Sequence, residues 1–262
     1  MKGKKRFDKA SARRGIYVLP NIFTSLNMFC GFYAVIAAID GKYVAAAVAI
    51  IIGNVFDILD GKIARATRTT SKFGVEYDSL ADLITFGVAP GVLIFLWALR
   101  PLGRIGWLAA FLFVACGALR LARYNSQVGN SSGDYFTGLP IPAGAAMNAT
   151  TVLIFSKFGL SGTAYPVFIL VMLYGLSFLM VSTVHYPSFK RPELFRKMNF
   201  NVLVAVVLIL IFVAYQPSIA LFFTGVVYLI SGPLNTVLHH RRLKQIQKAE
   251  ADQHEKPRTT PL

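Results

Sequence analysis

The sequence contains few of the residues that form disulfides, metal sites of the Cys/His type or covalent nucleophiles. Only two cysteines occur in 262 residues, and both Cys30 and Cys116 lie in apolar stretches, which suits small packing residues better than a disulfide or a metal pair. The four histidines show no metal-ligand spacing. No Ser/His or Cys/His pair stands out, so nothing in the sequence requires a covalent enzyme intermediate.

Acidic residues are also scarce. The chain has 12 Asp and Glu against 27 Lys and Arg, which gives a formal net charge of +15. A charge of this size can indicate nucleic-acid binding, but the basic residues follow loops and tails next to apolar segments. That placement favours anionic lipid headgroups, so we expect membrane lipids and no nucleic acid as partners.

Long apolar runs dominate the composition. Hydrophobic residues make up 55% of the chain, and the mean hydropathy is +0.56, far above that of a soluble domain. We therefore predict an all-α, polytopic membrane helix bundle with about eight transmembrane helices. The predicted spans are Tyr17–Ile39, Tyr43–Ala64, Val75–Leu99, Ile105–Tyr124, Ile141–Phe158, Ala164–Val184, Val202–Tyr215 and Ser218–Leu238.

The distribution of basic residues predicts the orientation. With the N-terminus in the cytoplasm, the far side receives only four of the 27 basic residues: Lys42, Arg100, Arg104 and Lys157. Both termini then face the cytoplasm. We expect a basic cytoplasmic N-terminal segment at 1–16, a membrane domain at 17–238 and a polar cytoplasmic tail at 239–262. The expected location is a bacterial inner membrane.

Four aspartates lie inside two of the predicted spans, where a carboxylate without a partner is costly and commonly marks a functional site. Asp57 and Asp60 are three residues apart on one helix, and Asp78 and Asp82 are four apart on the next, so each pair shares a helix face. Two antiparallel helices bring the pairs together. Carboxylates this close need cations between them, and hard oxygen ligands suit Mg²⁺ or Mn²⁺. One or two ions are implied, and we expect two in each active site.

Neighbouring residues add groups that suit a phosphate. Gly61 permits close approach to the backbone, and Arg65 presents a planar fork of donors. The string Asp57-x-x-Asp60-Gly61-x-x-Ala64-Arg65, eight residues, Gly74-x-x-x-Asp78-x-x-x-Asp82 resembles the complete signature of the CDP-alcohol phosphotransferase family. The resemblance implies an integral membrane enzyme, usually a homodimer, that moves a phosphatidyl or related group from a CDP-linked donor to an alcohol and releases CMP.

The resemblance also implies roles for individual residues. The four aspartates would hold the metal ions at the CDP-diacylglycerol diphosphate, and Asp82 would also accept the proton of the attacking hydroxyl. The donor would be bound by Gly61, Arg65, Ser71, Asn21 and Thr24. The region of Asn21, Thr24 and Asn27, which are at helical spacing, surrounds the nucleotide in related proteins, but these side chains can equally bond neighbouring helices.

Other segments resemble the branch of the family that uses L-serine as acceptor and makes phosphatidylserine. These are Asp78-Ser79, the stretch from Ala118 to Asn125, Gly138-Leu-Pro140-Ile-Pro142 and Tyr186-Pro-Ser-Phe-Lys190. Serine carries a carboxylate that needs a cationic fork. Arg120 and Arg123 are the candidate serine-binding residues, although arginines near a helix end can also snorkel to the membrane interface.

Two alternatives stay open. A sister transferase would accept glycerol 3-phosphate or inositol phosphate, with an anion cradle formed by Arg68, Lys72, Arg120 and Arg123. A cation transporter is a remote alternative from outside the enzyme class, since intramembrane aspartates also occur in ion pathways. A transporter would place its carboxylates towards the bilayer midplane, along a path that reaches both faces.

Overall fold

The computed structural model describes residues 4–67, 69, 71–127, 135–187 and 215–234. Its helices are α1 Lys4–Ile39, α2 Tyr43–Thr67, α3 Lys72–Asp82, α4 Ala89–Ile94, α5 Arg104–Gln127, α6 Ile141–Lys157, α7 Pro166–Val181 and α8 Pro217–Leu234. Two three-residue strands, β1 Tyr135–Thr137 and β2 His185–Pro187, pair antiparallel. The prediction of a helical bundle is confirmed, with this small strand pair as an addition.

Within the described residues, five helical segments are long and apolar enough to cross a membrane. They are Leu19–Ile39, Tyr43–Thr67, Lys72–Leu102, Arg104–Ser126 and Pro217–Leu234. Helix α7 is apolar but has only 16 residues, and α6 has 17. The chain is therefore a helical membrane protein, while the number eight stays a prediction. Of the predicted seventh span, Val202–Tyr215, all but Tyr215 lies outside the described residues.

Helices α1 and α2 form a tight antiparallel hairpin. Their link, from Asp40 to Lys42, turns at Gly41, whose φ of 75° favours glycine. Small side chains line the contact and let the two backbones approach closely, as is common between membrane helices. The buried alanines are Ala34, Ala37, Ala38, Ala46, Ala47 and Ala49. The hairpin register brings Thr24 and Asn27 of α1 alongside the aspartate-bearing end of α2.

The third span is a helical rod whose hydrogen-bond pattern changes along its length. After α3 it continues as a π-helix at Leu83–Val88, α4, a second π-helix at Phe95–Leu99 and a 3₁₀ turn at Arg100–Leu102. The first π-helix begins directly after Asp82, and π turns inside helices are frequent at functional sites. Within it, Thr85 donates a hydrogen bond to the Asn27 carbonyl, at 2.8 Å.

Helices α1, α2 and the third rod meet where two glycines face Thr85. A Cβ atom at Gly31 would lie 2.5 Å from Thr85 Oγ1, and one at Gly53 would lie 2.6 Å from Thr85 Cγ2. Both separations are shorter than atoms tolerate. The close crossing one turn from Asp82 therefore depends on glycine at both positions.

On the other side of the bundle, Tyr186 of β2 packs on α8. Its ring centroid lies 5.3 Å from that of Tyr228, and its hydroxyl donates to the Leu229 carbonyl at 3.4 Å. Burial raises the pKa of Tyr186 to about 12, so its hydroxyl stays protonated at neutral pH. Gly232 leaves room for the Tyr186 ring. The strand pair thus contacts α8 through the ring and the hydroxyl of Tyr186.

The glycine crossing generates a stability prediction. Gly31→Ala should lower the thermal midpoint of the detergent-solubilised protein by about 2–10 °C, because the added methyl group overlaps Thr85. Gly175→Ala on α7 is the matched control, since no atom lies within 4 Å of the added Cβ. Equal midpoints for the two variants would contradict the proposed crossing.

Candidate active site

Three of the four aspartates converge where α2 ends and α3 begins. Asp57, Asp60 and Asp78 each offer a carboxylate oxygen, and the three oxygens all lie within 4.8 Å of one another. Asp60 is buried, with 4% of its surface exposed, and the other two are half-buried. The predicted meeting of two aspartate pairs on antiparallel helices is thus seen for these three residues.

Asp82 lies one helical turn beyond Asp78, at the end of α3. It is buried, with 8% exposed, and it is not a member of the group of three oxygens within 4.8 Å. It is near enough for the charges of Asp57, Asp78 and Asp60 to act on it. Its Oδ1 accepts a hydrogen bond from Asn27 Nδ2, at 3.1 Å.

The cluster suits a divalent cation by its chemistry. All its donors are carboxylate oxygens, the ligands that Mg²⁺ and Mn²⁺ prefer. Asp78 Oδ1 is buried and has no hydrogen-bond partner among the described residues. In the same part of the chain, none of the four aspartates forms an ion pair with Lys or Arg, whereas exposed Asp40 pairs with Lys42 at 3.2 Å. A bound cation would supply the missing positive charge.

Helix α1 supports a carboxylate from each of the two aspartate-bearing helices. The Thr24 hydroxyl lies 2.9 Å from Asp60 Oδ2 and 3.2 Å from the Pro20 carbonyl, and Asn27 donates to Asp82. Both α1 side chains are buried. The structure therefore shows Thr24 in contact with the aspartate that it would orient. Thr24 and Asn27 thus bond neighbouring helices, which is one of the two roles that the sequence left open. Contact with the nucleotide stays a prediction.

Arg65 lies over Gly61, one turn earlier on α2. A Cβ atom at Gly61 would be 3.6 Å from Arg65 Nη2, an ordinary contact distance, so packing within the chain does not demand glycine there. The Arg65 side chain is exposed, and its charge acts on both Asp57 and Asp60. Space and a fork of donors are therefore available beside the cluster for an anionic ligand.

Ser71, Asn21 and Gly74 come together at the N-terminus of α3. Ser71 caps the helix by accepting a hydrogen bond from the Gly74 amide at 3.0 Å, and the Gly74 Cβ position lies 3.7 Å from Asn21 Oδ1. The Ser71 hydroxyl proton is not used in this cap. The free amides of a helix N-terminus favour anions, which suits the predicted contact with donor phosphates.

The two candidate serine-binding arginines differ in their surroundings. Arg120 is half-buried on α5, and its Nε is buried without a hydrogen-bond partner in the described part of the chain. The groups that act on its charge are Tyr228, Asp82 and Tyr124. Arg123 is exposed. Arg120 is therefore near enough to Asp82 for the two charges to interact, whereas no contact between the Arg123 side chain and the aspartates is seen in the described residues.

Two further residues escaped the sequence interpretation. Asn125 of α5 donates from Nδ2 to Ser79 Oγ at 2.9 Å, which ties the helix of Arg120 to the helix of Asp78. Tyr228 reaches the Arg120 environment from α8, 108 positions later in the chain. Asn125 and Ser79 lie in segments already noted for their resemblance to the serine-accepting branch. No local signal pointed to Tyr228.

Comparison with known proteins decides the family. Residues 17–184 match the sequence model of the family described as CDP-alcohol phosphatidyltransferase. The chain belongs to this family. The resemblance inferred from the aspartate signature is thereby confirmed, and it extends from that signature to residues 17–184.

Three relatives are similar to this chain over much of its length. A Helicobacter pylori protein named CDP-diacylglycerol--serine O-phosphatidyltransferase is 39% identical over 83% of this chain and 90% of its own length. A Bacillus subtilis protein of the same name is 37% identical over 66% of this chain and 92% of its own. A Methanothermobacter thermautotrophicus protein named archaetidylserine synthase is 38% identical over 64% of this chain and 69% of its own length.

The carboxylate cluster generates a prediction about metal binding. Asp57→Asn, Asp60→Asn and Asp78→Asn should each weaken Mn²⁺ binding by about 10-fold or more, because each removes an anionic oxygen from the group of three. Mn²⁺ titration of the purified protein, followed by electron paramagnetic resonance, measures this. Asp40→Asn, which changes an exposed aspartate, is the control. Unchanged Mn²⁺ affinity in all three variants would contradict the assignment of a metal site to these aspartates.

Proposed function

We propose that this protein transfers the phosphatidyl group from CDP-diacylglycerol to the hydroxyl of L-serine and so makes phosphatidylserine and CMP. The observation that carries the proposal is the 39% identity to the Helicobacter pylori enzyme of that name over 83% of the chain. The aspartate cluster supports the reaction class, and the half-buried Arg120 beside it supports an anionic acceptor.

On the donor side, the diphosphate of CDP-diacylglycerol would lie at Asp57, Asp60 and Asp78. Mg²⁺ or Mn²⁺ ions held there, which we propose to number two, would neutralise the diphosphate charge. Arg65 offers its fork to the same anion, and Gly61 leaves the backbone open to it. Ser71 and Asn21 at the start of α3 would contact the phosphates or the nucleotide, while Thr24 would help indirectly by holding Asp60.

On the acceptor side, Arg120 would bind the serine carboxylate with the guanidinium edge that includes Nε, which has no hydrogen-bond partner in the described residues. Arg123 would assist from the edge of the site. Asp82 would accept the hydroxyl proton, as the family resemblance implies. Asn27 donates to its Oδ1, which leaves Oδ2 for that role. Asp82 would also be a metal ligand, as the family signature implies.

The bond changes are those of a direct displacement. The serine oxygen forms a bond to the phosphorus that carries diacylglycerol, the bond from that phosphorus to the CMP oxygen breaks, and the hydroxyl proton passes to Asp82. The leaving group is CMP, whose one phosphate keeps the bridging oxygen. The side chains act by position and charge, which is how most phosphoryl transfer is catalysed.

The membrane arrangement belongs to the same proposal. Eight spans in a domain at 17–238 would place the basic segment 1–16 and the tail 239–262 in the cytoplasm, with the active site on that side of a bacterial inner membrane. All four aspartates lie within about three turns of the link between α2 and α3, at the end that carries Arg65 and Lys72. A homodimer is implied by the family resemblance.

The location of the aspartates also bears on the alternatives. A transporter needs polar groups along a path to both faces, whereas the described carboxylates of the spans gather at one end. The relative named archaetidylserine synthase supports serine as the acceptor. A sister transferase acting on glycerol 3-phosphate or inositol phosphate is distinguished from the serine enzyme by the acceptor that it uses.

The experiment that tests the function compares acceptors. Purified protein with Mn²⁺ and CDP-diacylglycerol should release CMP with L-serine and form phosphatidylserine, and it should release little CMP with glycerol 3-phosphate or inositol phosphate. Labelled acceptors, with lipid products separated by chromatography, identify the product. CMP release that depends on one of the phosphorylated acceptors and not on serine would overturn the assignment.

Arg120 provides the test of the acceptor site. Arg120→Lys should raise the KM for serine by about 10- to 100-fold, because lysine keeps the charge but loses the two-point contact with a carboxylate. The KM for CDP-diacylglycerol should change by less than about 3-fold. Arg104→Lys, at the other end of the same helix, is the matched control. If only the KM for CDP-diacylglycerol changed, Arg120 would be assigned to the donor phosphates and not to serine.

A further inference from the structure

Asn27 is a buried amide that contacts the proposed proton acceptor. It lies on α1, its side chain is 0% exposed, and its Nδ2 donates to Asp82 Oδ1 at 3.1 Å. Asp82 is itself 8% exposed, and within the described part of the chain Asn27 is its one side-chain hydrogen-bond donor. The orientation of this carboxylate therefore depends on one amide.

The position of Asn27 is fixed on two sides. Its backbone carbonyl accepts a hydrogen bond from Thr85 Oγ1 at 2.8 Å, which ties it to the helical turn that follows Asp82. On the α2 side, Gly53 leaves space for the amide, since a Cβ there would lie 3.1 Å from Asn27 Oδ1. Three helices thus define where the Asn27 amide can point.

The acceptor half of the same amide is not used. Asn27 Oδ1 is buried and has no hydrogen-bond partner among the described residues. An unsatisfied buried oxygen disfavours folding, and a leucine of similar size would avoid it. What this asparagine supplies at its position is therefore the N–H group that it gives to Asp82.

We propose that Asn27 is a positioning residue for the transfer reaction: it holds Asp82 Oδ1 and so directs Oδ2 towards the acceptor hydroxyl. This inference rests on the proposed function, because it takes Asp82 as the group that receives the hydroxyl proton. Thr24 plays the corresponding part for Asp60, one turn earlier on α1. The spacing of these two residues on α1 then sets the relative position of the metal cluster and the proton acceptor.

The test replaces Asn27 with residues of nearly equal size. Asn27→Leu removes the donor, and Asn27→Asp replaces it with a second carboxylate. Both should lower kcat by about 10- to 100-fold, the expected effect of losing one hydrogen bond to a charged group. For Asn27→Leu, the KM values for serine and CDP-diacylglycerol should stay within about 3-fold. Its Mn²⁺ affinity without substrates should also stay within about 3-fold, because the Asn27 amide bonds to Asp82 and not to the three clustered aspartates. Asn27→Ala replaces the leucine variant if that variant does not accumulate.

Asn148 supplies the matched control. It is also 0% exposed in a helix, and neither of its amide atoms has a hydrogen-bond partner in the described residues. Asn148→Leu is the same substitution away from the aspartates, and it should leave kcat unchanged. If Asn27→Leu also keeps wild-type kcat, or loses activity only in parallel with Mn²⁺ affinity or thermal midpoint, the positioning role is wrong.

A double-mutant cycle separates positioning from general packing. If Asn27 acts through Asp82, adding Asn27→Leu to Asp82→Asn should lower kcat by less than about 2-fold more. If the fold-losses in kcat of the two single variants multiplied in the double variant, Asn27 would act independently of Asp82. Failure of the proposed function gives a different result, since the wild-type protein would then use another acceptor, and the same cycle can be measured with that acceptor.

Discussion

The structure depends on four carboxylates brought together at one end of a bundle of apolar helices. Asp57, Asp60 and Asp78 place oxygens within 4.8 Å of one another, and Asp82 is buried a turn away. Mutual repulsion and loss of hydration both oppose this arrangement in the absence of cations. Because no Lys or Arg in the described residues forms an ion pair with the group, divalent cations are the natural partners, and the chemistry follows from them.

The surrounding helices can be understood as the frame that holds these carboxylates in place. The alanine-lined contact of α1 and α2 and the glycine crossing at Thr85 bring three helix backbones close together. At that distance, side chains as short as Thr24 and Asn27 reach carboxylates on two other helices. Close packing of small residues, which often serves only association in membranes, here also sets the geometry of the site.

Periodicity and spacing predicted the helical bundle, its first four spans and the meeting of the aspartates, because a stretch of apolar residues and an i, i+3 pair have direct structural consequences. The π turn after Asp82, the β1–β2 pair and the approach of Tyr228 to Arg120 were not predicted. Each arises from contacts between segments far apart in sequence. Thr24 is another example. Its position on a helix face could be read from the sequence, but not that its hydroxyl would bond to Asp60.

The most direct test of the account asks whether the cation held by the aspartates touches the donor. Pulsed electron paramagnetic resonance of Mn²⁺ bound to the purified protein should show coupling to ³¹P when CDP-diacylglycerol is added. Asp60→Asn, which changes the buried member of the cluster, should lose that coupling with the bound ion. Tight Mn²⁺ binding without any ³¹P coupling in the presence of saturating donor would contradict the account, because the metal would then be structural and the transfer site would lie elsewhere.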